Sequence, residues 1–322
     1  MGPEGREAGA SIEGALVIRA GKQGPAGPIT FWKMSGAGND FIVLPFAPED
    51  LGEATPEFVR RVCRRGLDVG AVGVLFVTRA GTAESAAPRE SAGPDEVVLV
   101  HLNADGGKSD FCGNGSRCAA RFAVLTGIAA SPLVLRTGAG RLRAEVSGVG
   151  VRIEAPAPTE PRRIRCEVSG ESYEGWLVIA GVPHFVVPVP SPESVNVGLL
   201  GSLLRSHPAL GPGGANIDFL GPVARGSRLI RTFERGVEGE TLACGSGALA
   251  AGALLARQGL SSPIVLTPTS GIDLTVEFEG PPAAPHAFRL SGEARIVFEG
   301  TLRTATEDPA PPADSAGGDG AS

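Results

Sequence analysis

The sequence FCGNGSRC at residues 111–118 decides how this chain is organised, because a second copy of its core, ACGSG, lies at residues 243–247. Each copy leads into an Ala-rich segment with a helical pattern, at residues 116–125 and 248–257. A Ser-Pro pair that opens a β-branched run follows Cys112 by 19 residues and Cys244 by 18 residues. Matched spacing of this kind indicates an internal repeat.

The repeat extends upstream of the two cysteines. Residues 38–43 read GNDFIV and residues 181–187 read GVPHFVV, with one residue inserted. Both halves therefore share the order glycine turn, Phe-containing strand, Cys-Gly-x-Gly, helix, Ser-Pro strand, which predicts two homologous α/β halves. Short β-branched runs predict strands, and these lie at residues 72–77, 97–102, 133–137, 176–180 and 185–189. Thr55 as N-cap, Pro56 at the first position and Gly66 past the end predict a helix over residues 55–65.

Composition excludes several classes of protein. The 322 residues are 42 % hydrophobic and carry a formal charge of −6, which argues against general nucleic-acid binding. No apolar run approaches the length of a transmembrane helix, and the first 28 residues lack the apolar core of a signal peptide. We therefore expect a cytoplasmic protein without a membrane partner, whose five cysteines are thiols rather than disulfides.

Segments of low hydrophobicity bound the expected domains. We expect a loose extension at residues 1–28, an exposed loop at residues 80–95 and a disordered acidic tail at residues 304–322. The repeat then divides the remaining chain into an N-terminal domain, residues 29–155 plus 292–303, and a C-terminal domain, residues 156–291.

The repeated Cys-Gly-x-Gly places a thiol at the start of each helix. A helix N-terminus offers free N–H groups and a positive dipole end, which favour a thiolate and also bind carboxylates. Two such thiols on pseudo-symmetric halves suggest that they face each other across one carboxylate-bearing substrate. Inverting a carbon centre requires removal of a proton from one face and delivery of another to the opposite face. Cys112 and Cys244 are therefore predicted to be an acid/base pair.

Other interpretations of the cysteines remain open. Cys63, Cys118 and Cys166 are expected to be buried structural residues, the common fate of this residue type. A zinc site is disfavoured because the chain has no Cys-x-x-Cys pair and only four histidines. A Cys–His hydrolase needs only one nucleophile, so it does not explain the second copy. A thiol–disulfide redox protein that uses Cys112 and Cys244, and an amino-acid-binding protein that has lost catalysis, are the alternatives from other classes.

Longer motifs make the chain similar to one family. GAGNDF at residues 36–41, NADG at residues 103–106, FCGNGSRC at residues 111–118 and the stretch from Glu234 to Gly247 resemble diaminopimelate epimerase. The resemblance covers about residues 29–303. It implies an α/β (α+β) fold of two pseudo-symmetric domains, each a sheet wrapped around a central helix, with the substrate in the cleft between them. It also implies epimerisation of LL- to meso-diaminopimelate in lysine and peptidoglycan precursor biosynthesis, without pyridoxal phosphate or metal, and a homodimer as one possible assembly.

The resemblance assigns roles residue by residue. Cys112 and Cys244 match the acid/base pair, and His184 and Glu234 match positions that tune the thiols. The substrate-binding positions are matched by Asn39, Asn103, Gly113, Asn114, Asn216, Glu234, Arg235, Gly245 and Ser246.

Two positions depart from the family pattern. The family usually has Gly-Asn-Pro-His where this chain has Val182, and Gly-Ala-Asp-Gly where it has Val72. Losing an amide from a site for a polar substrate costs about 1–3 kcal/mol when its partner is left unsatisfied. A cofactor-independent racemase of an amino acid with a less polar side chain is therefore the close alternative.

Overall fold

The computed structural model describes residues 28–81, 93, 95–224 and 226–302. The first half of this structure holds eight strands and two helices. The strands are β1 (Ile29–Gly36), β2 (Asn39–Leu44), β3 (Gly73–Arg79), β4 (Glu96–Asn103), β5 (Lys108–Ser109), β6 (Leu133–Thr137), β7 (Gly140–Ser147) and β8 (Gly150–Glu154). The helices are α1 (Thr55–Val62) and α2 (Gly113–Leu125).

The second half repeats this order and adds one strand before it, β9 (Arg162–Val168), and one after it, β18 (Arg295–Leu302). Its other strands are β10 (Glu171–Ala180), β11 (Val182–Pro188), β12 (Asn216–Ala224), β13 (Ser227–Glu234), β14 (Gly239–Thr241), β15 (Ile264–Pro268), β16 (Leu274–Glu279) and β17 (His286–Glu293). Its helices are α3 (Val197–Arg205) and α4 (Gly245–Arg257).

Strand pairing follows the same rule in both halves. In the first half β1–β2 is antiparallel, β2–β3 parallel, β3–β4 antiparallel, β4–β6 parallel, and β6–β7 and β7–β8 antiparallel. The series β10, β11, β12, β13, β15, β16, β17 repeats this alternation strand for strand. Each parallel step is bridged by a helix, as such crossovers require. The internal repeat of the sequence is thus a repeat of topology.

Each half wraps its sheet around one buried helix. Helix α2 contacts seven strands of the first half, β1 to β4 and β6 to β8, and α4 contacts β10, β11, β12, β15 and β16. Small residues let the strands approach closely: Ala119, Ala120 and Ala123 of α2 are buried, as is most of α4. Helices α1 and α3 pack outside, over separate apolar clusters. The fold is the expected α/β (α+β) arrangement of two pseudo-symmetric halves.

Two strand pairs tie the halves together. Strand β8 pairs antiparallel with β17, so the hydrogen-bonded sheet continues from one half into the other. Strand β18 returns to the first half and pairs with β1 along nearly its whole length, from Leu302 opposite Ile29 to Arg295 opposite Ser35. The proposed domain limits, 29–155 plus 292–303 and 156–291, remain a prediction.

Several predicted boundaries need correction. The helix predicted over residues 55–65 ends at Val62, because the chain then turns, and the Gly70 N–H donates to the Val62 carbonyl. Thr55 is not an N-cap: its hydroxyl donates to the carbonyls of Pro48 and Gly52 in the 3₁₀ turn that runs into the helix. The helices predicted from residues 116 and 248 begin three residues earlier, at Gly113 and Gly245.

Most of the segments expected to be loose lie outside the described residues: 1–27, 82–92, residue 94 and 303–322. Within the described part of the chain, no helix is long and apolar enough to cross a membrane.

Candidate active site

Cys112 and Cys244 cap the two buried helices. Each has an extended backbone, with φ −142° and −115°, and each sulfur accepts a hydrogen bond from the N–H three residues on. The Gly115 N–H to Cys112 Sγ and Gly247 N–H to Cys244 Sγ distances are both 3.4 Å. The two thiols therefore occupy equivalent positions in the two halves.

The first turns of the two helices meet. A Cβ atom on Gly245 would lie in van der Waals contact with the Cα of Gly113, at 3.4 Å. Leu290 Cδ2 would lie 2.9 Å from a Cβ on Gly113 and 3.2 Å from one on Gly245, so both positions are crowded. The Asn114 side chain crosses from α2 to the second half, where its Nδ2 donates to the Ala243 carbonyl at 3.0 Å. This contact joins the turn that carries Cys112 to the residue that precedes Cys244. The structure thus brings both cysteine motifs to one place.

A buried polar chain leads from the core of the second half to Cys244. His184 is fully buried, and its Nδ1 lies 2.8 Å from Asp218 Oδ2. Its Nε2 lies 3.0 Å from the Ser246 hydroxyl, which in turn is 3.4 Å from Cys244 Sγ. Asp218 is also held by Thr232, whose hydroxyl donates to Oδ1 at 2.8 Å. His184, which the Asp218 carboxylate orients, is thereby connected through Ser246 to the Cys244 thiol. Among the described residues it makes no hydrogen bond to Cys112.

Asp218 is a site residue that sequence reasoning missed. It lies in β12 between Ile217 and Phe219, and all three are buried. A side chain at Gly247 would overlap the Asp218 carboxylate, whereas the equivalent Gly115 faces Leu75. Because the first half has an apolar residue at this place, the repeat carried no signal for it. A charged residue inside an otherwise apolar strand was the only available sign.

The remaining predicted residues lie at strand ends near these turns. Asn216 is buried, its Oδ1 accepts from the Arg235 N–H at 2.7 Å, and its Nδ2 lies 3.2 Å from His184 Nε2. Glu234 Oε1 accepts from the Thr241 hydroxyl at 2.5 Å. Arg235 Nη1 donates to the Gly213 carbonyl at 2.9 Å. These hydrogen bonds fix the orientation of the Asn216, Glu234 and Arg235 side chains.

Asn39 and Asn103 come from the first half. Asn39 begins β2, next to Gly38. A Cβ atom added to Gly38 would lie 2.8 Å from the Cβ of Ser270, so this turn lies against the second half. Asn103 ends β4 and is exposed. Among the described residues neither side-chain amide forms a hydrogen bond, so both have hydrogen-bonding capacity for a ligand. Val72 and Val182, the two departures, are half-buried, and Val182 begins β11.

The N–H groups at the helix N-termini favour the thiolates, as expected, but burial outweighs them and raises the pKa of both thiols. Burial raises the pKa of Cys112 above its ordinary value, and the N–H of Gly115 offsets only part of this effect. Burial raises the pKa of Cys244 further, with the Glu234 and Asp218 carboxylates acting in the same direction. Desolvation of a charged sulfur here outweighs a few N–H dipoles. Burial likewise raises the pKa of Glu234.

The other three cysteines are placed as structural residues. Cys63, Cys118 and Cys166 are all buried, at 5 %, 0 % and 0 % exposure. Burial raises the pKa of Cys63 and of Cys118 to about 12, so both thiols are neutral and unreactive. The expectation for these three residues is confirmed by their burial.

Comparison with known proteins gives one consistent family. The family model described as diaminopimelate epimerase matches residues 31–157 and 176–284. A diaminopimelate epimerase of Aquifex aeolicus is 38 % identical over 283 residues, 84 % of this chain and 97 % of that protein. One from Gemmatimonas aurantiaca is 35 % identical over 85 % of this chain and 99 % of its own.

Solved structures with little sequence similarity share the fold. A probable proline racemase from Agrobacterium radiobacter, with bound carbonate, superposes with a TM-score of 0.63 at 16 % identity, covering 87 % of this chain and 94 % of its own. A hydroxyproline epimerase from Agrobacterium vitis, with bound trans-4-hydroxy-L-proline, gives a TM-score of 0.62 at 15 % identity over 86 % and 92 % of the two chains.

Proposed function

The chain belongs to the diaminopimelate epimerase family and interconverts LL- and meso-diaminopimelate, and we propose that Cys112 and Cys244 carry the two proton transfers. One observation carries this proposal: the two thiols cap abutting helices in equivalent positions of the two halves. One sulfur, as thiolate, takes the α-hydrogen from one face of the substrate. The other, as thiol, delivers a proton to the opposite face, and the reverse reaction exchanges the roles.

The helix starts supply the electrostatic part of this reaction. Removing the α-hydrogen moves negative charge into the adjacent carboxylate, and N–H dipoles fixed in a dry site stabilise that charge. The N–H groups of Gly115 and Gly247 already donate to the two sulfurs. We therefore assign the reacting carboxylate to the first-turn N–H groups of Gly113, Asn114, Gly245 and Ser246. This chemistry is independent of pyridoxal phosphate.

The other end of the substrate needs recognition of an ammonium and a carboxylate. We assign the distal carboxylate to Arg235, whose guanidinium retains two nitrogens beyond the one that binds Gly213, and the ammonium to Glu234. Asn39, Asn103 and Asn216 supply amides around them. His184, through Ser246, positions and polarises the Cys244 thiol.

We further propose the setting in which the protein acts. The amino-acid substrate is its small-molecule partner, it acts in the cytoplasm without nucleic acid or membrane, and a homodimer is its proposed assembly. The closest alternative is racemisation of another amino acid, and the alternative from another class is thiol–disulfide redox activity.

The first prediction tests the two thiols as a unit. Cys112→Ala and Cys244→Ala should each abolish inversion of diaminopimelate, and the double variant should lose no more than either single variant. Inversion is followed in D₂O by NMR as α-deuterium incorporation together with the ratio of the isomers. Cys118→Ala, in the same helix as Cys112, is the matched control and should retain activity. Near-normal inversion by either single variant would exclude the two-thiol mechanism.

A further inference from the structure

Arg117 is a buried cation that the mechanism above does not use. Its side chain is fully inaccessible, and it is the largest such residue of the described chain. Nη2 donates to Asn114 Oδ1 at 2.6 Å, but Nε and Nη1 form no hydrogen bond with any described residue. Removing an ion from water is unfavourable unless partners compensate for the lost hydration. An incompletely paired guanidinium at this depth therefore calls for an anion that forms during function.

The position of Arg117 indicates that this anion forms in the active site, at the two cysteine motifs. Its partner Asn114 is the residue that bridges to Ala243, next to Cys244. A Cβ on Gly113 would lie 3.8 Å from Arg117 Nη1, and a Cβ on Gly292 would lie 3.1 Å from Nε. The guanidinium therefore lies behind the first turn of α2, at the junction of the two halves.

The second half has no equivalent cation. Leu249 stands five residues after Cys244, as Arg117 does after Cys112. The charged groups around Cys244 are the carboxylates of Glu234 and Asp218, and both raise its pKa. Glu234 also raises the pKa of Cys112, whereas Arg117 acts on Cys112 in the opposite direction and lowers its pKa. A buried cation therefore acts on one of two otherwise equivalent thiols, and Leu249 takes its place in the half that carries the other.

Other titratable groups near Cys112 do not change this asymmetry. His101 lines a cavity of about 10 Å³ with Cys112, and burial lowers its pKa to about 4, so it is neutral. Asp110 lines the same cavity, but its carboxylate is directed at Gly138. The Glu293 carboxylate acts on Arg117, whose pKa it raises, and its Oε1 lies 2.9 Å from Arg295 Nε.

We propose that the two thiols are unequal in the resting enzyme: the first proton leaves Cys112, with Arg117 as counter-ion of its thiolate, while Cys244 keeps its proton. This rests on the proposed function of the pair. The proton of Cys112 passes to solvent, and the thiolate then takes the α-hydrogen of the substrate. Cys244 protonates the opposite face and becomes the thiolate. After product release, proton exchange with solvent returns the pair to its starting form. The free enzyme is therefore prepared for the isomer whose α-hydrogen faces Cys112.

The test measures the pKa of each thiol without substrate. Cys244→Ser and Cys112→Ser leave one active-site thiol each, and its alkylation by iodoacetamide is followed from pH 6 to 11 by peptide mass spectrometry. The pH dependence of each rate, rather than the rate itself, reports ionisation and is independent of accessibility. We expect the pKa of Cys112 to lie at least about one unit below that of Cys244, about tenfold in thiolate fraction.

Variants of Arg117 assign the cause. Arg117→Met in the Cys244→Ser background should raise the pKa of Cys112 by about one unit, and Arg117→Lys should restore at least about half of that shift. In the Cys112→Ser background, Arg117→Met should leave the pKa of Cys244 nearly unchanged. Arg121→Met, which removes the next cation of α2, is the matched control and should move neither.

Two outcomes overturn the proposal. Equal pKa values, or a lower value for Cys244, contradict the order; an equal shift of both thiols by Arg117→Met contradicts the role of Arg117. If Arg117→Met does not fold, the order measured with Arg117 present and the Arg117→Lys result still decide. Because ionisation is measured without substrate, failure here is separate from failure of the two-thiol mechanism, which the inversion assay detects.

Discussion

At the scale of single residues, the site combines a pattern visible in sequence with polar groups that only the fold identifies. Cys112 and Cys244 stand in a repeated motif, and their equivalence follows from it. Asp218 and Arg117 have no counterpart in the other half, where Leu75 faces the equivalent glycine and Leu249 stands at the equivalent position. A sequence repeat identifies what the two halves share, so it does not identify the residues that make them unequal. The raised pKa values of the thiols could not be predicted from the sequence for a related reason, since burial is a property of the folded molecule.

Val182 tests recognition of the distal end of the substrate. Restoring the amide with Val182→Asn should lower KM for diaminopimelate by up to about tenfold, or about 1.4 kcal/mol, and leave kcat nearly unchanged. The measurement is steady-state kinetics with diaminopimelate and with less polar amino acids. Val195→Asn, a half-buried valine outside the site, is the control. An unchanged KM would mean that position 182 serves only as scaffold.

His101 should make the folded protein sensitive to acid. Burial lowers its pKa from 6.5 to about 4, and neither ring nitrogen bonds to another described residue. Between these values the unfolded chain binds the proton and the folded one does not. The free energy of unfolding should therefore fall by about 1.4 kcal/mol per pH unit as pH drops from 6.5 towards 4. Above pH 6.5 this contribution is fully present.

Urea denaturation at pH 7 and pH 5 measures the effect. The free energy of unfolding of the wild type, minus that of His101→Leu, should be lower at pH 5 than at pH 7, because the variant lacks this titration. His286→Gln alters an exposed histidine and should show the wild-type pH dependence. A constant difference between wild type and His101→Leu would refute the assignment.

At the scale of elements, the helices were predictable in kind and less so in extent. The Ala-rich runs indicated α2 and α4, but both helices begin three residues earlier, because the glycines that serve as flexible links in sequence are helical here. Helix α1 ends at Val62, before its charged tail, because the chain turns to pair β3 with β2. Tertiary connections, which local patterns do not report, set these ends.

Glycines in helices give a matched test of packing. In α4, a Cβ on Gly252 would lie 2.7 Å from the side chain of Val276 in β16. Gly252→Ala should therefore destabilise the protein by about 1–3 kcal/mol, despite the better helix propensity of alanine. In α3, a Cβ on the exposed Gly198 would only reach 3.8 Å from Asn196. Gly198→Ala should stabilise by up to about 1 kcal/mol.

Thermal and urea denaturation of the two variants decide the matter. We expect the two substitutions to change the free energy of unfolding in opposite directions, although both add the same methyl group to a helix. Stabilisation by Gly252→Ala would show that Val276 in β16 can move to accommodate the added methyl group. Close packing around α4 would then not limit the stability of the protein.

At the scale of the whole molecule, the sequence repeat predicted the duplicated α/β plan, and the alternation of parallel and antiparallel pairs confirms it. The links between the halves were not predictable. The β8–β17 pair joins strands about 140 residues apart in sequence, and no short-range pattern marks such pairing. The meeting of Gly113 with Gly245 depends on the same long-range geometry.

That meeting predicts how the molecule responds to oxidant. Diamide, which takes up two electrons and two protons, should join Cys112 to Cys244, abolish epimerase activity and be reversed by dithiothreitol. Peptide mapping by mass spectrometry identifies the bond, and Cys244→Ser should fail to form it. An oxidised form that is the active one would instead support the redox alternative.

Strand β18 has a consequence for biosynthesis. The first half is translated first, yet the neighbour of β1 on that side is β18, which leaves the ribosome only after both halves have been made. A nascent chain that has completed residues 28–155 therefore exposes the unpaired edge of β1, with Phe31 and Ile29 beside it. An exposed apolar edge favours pairing with other chains. During synthesis the N-terminal half must thus be protected, or remain unfinished, until β18 emerges.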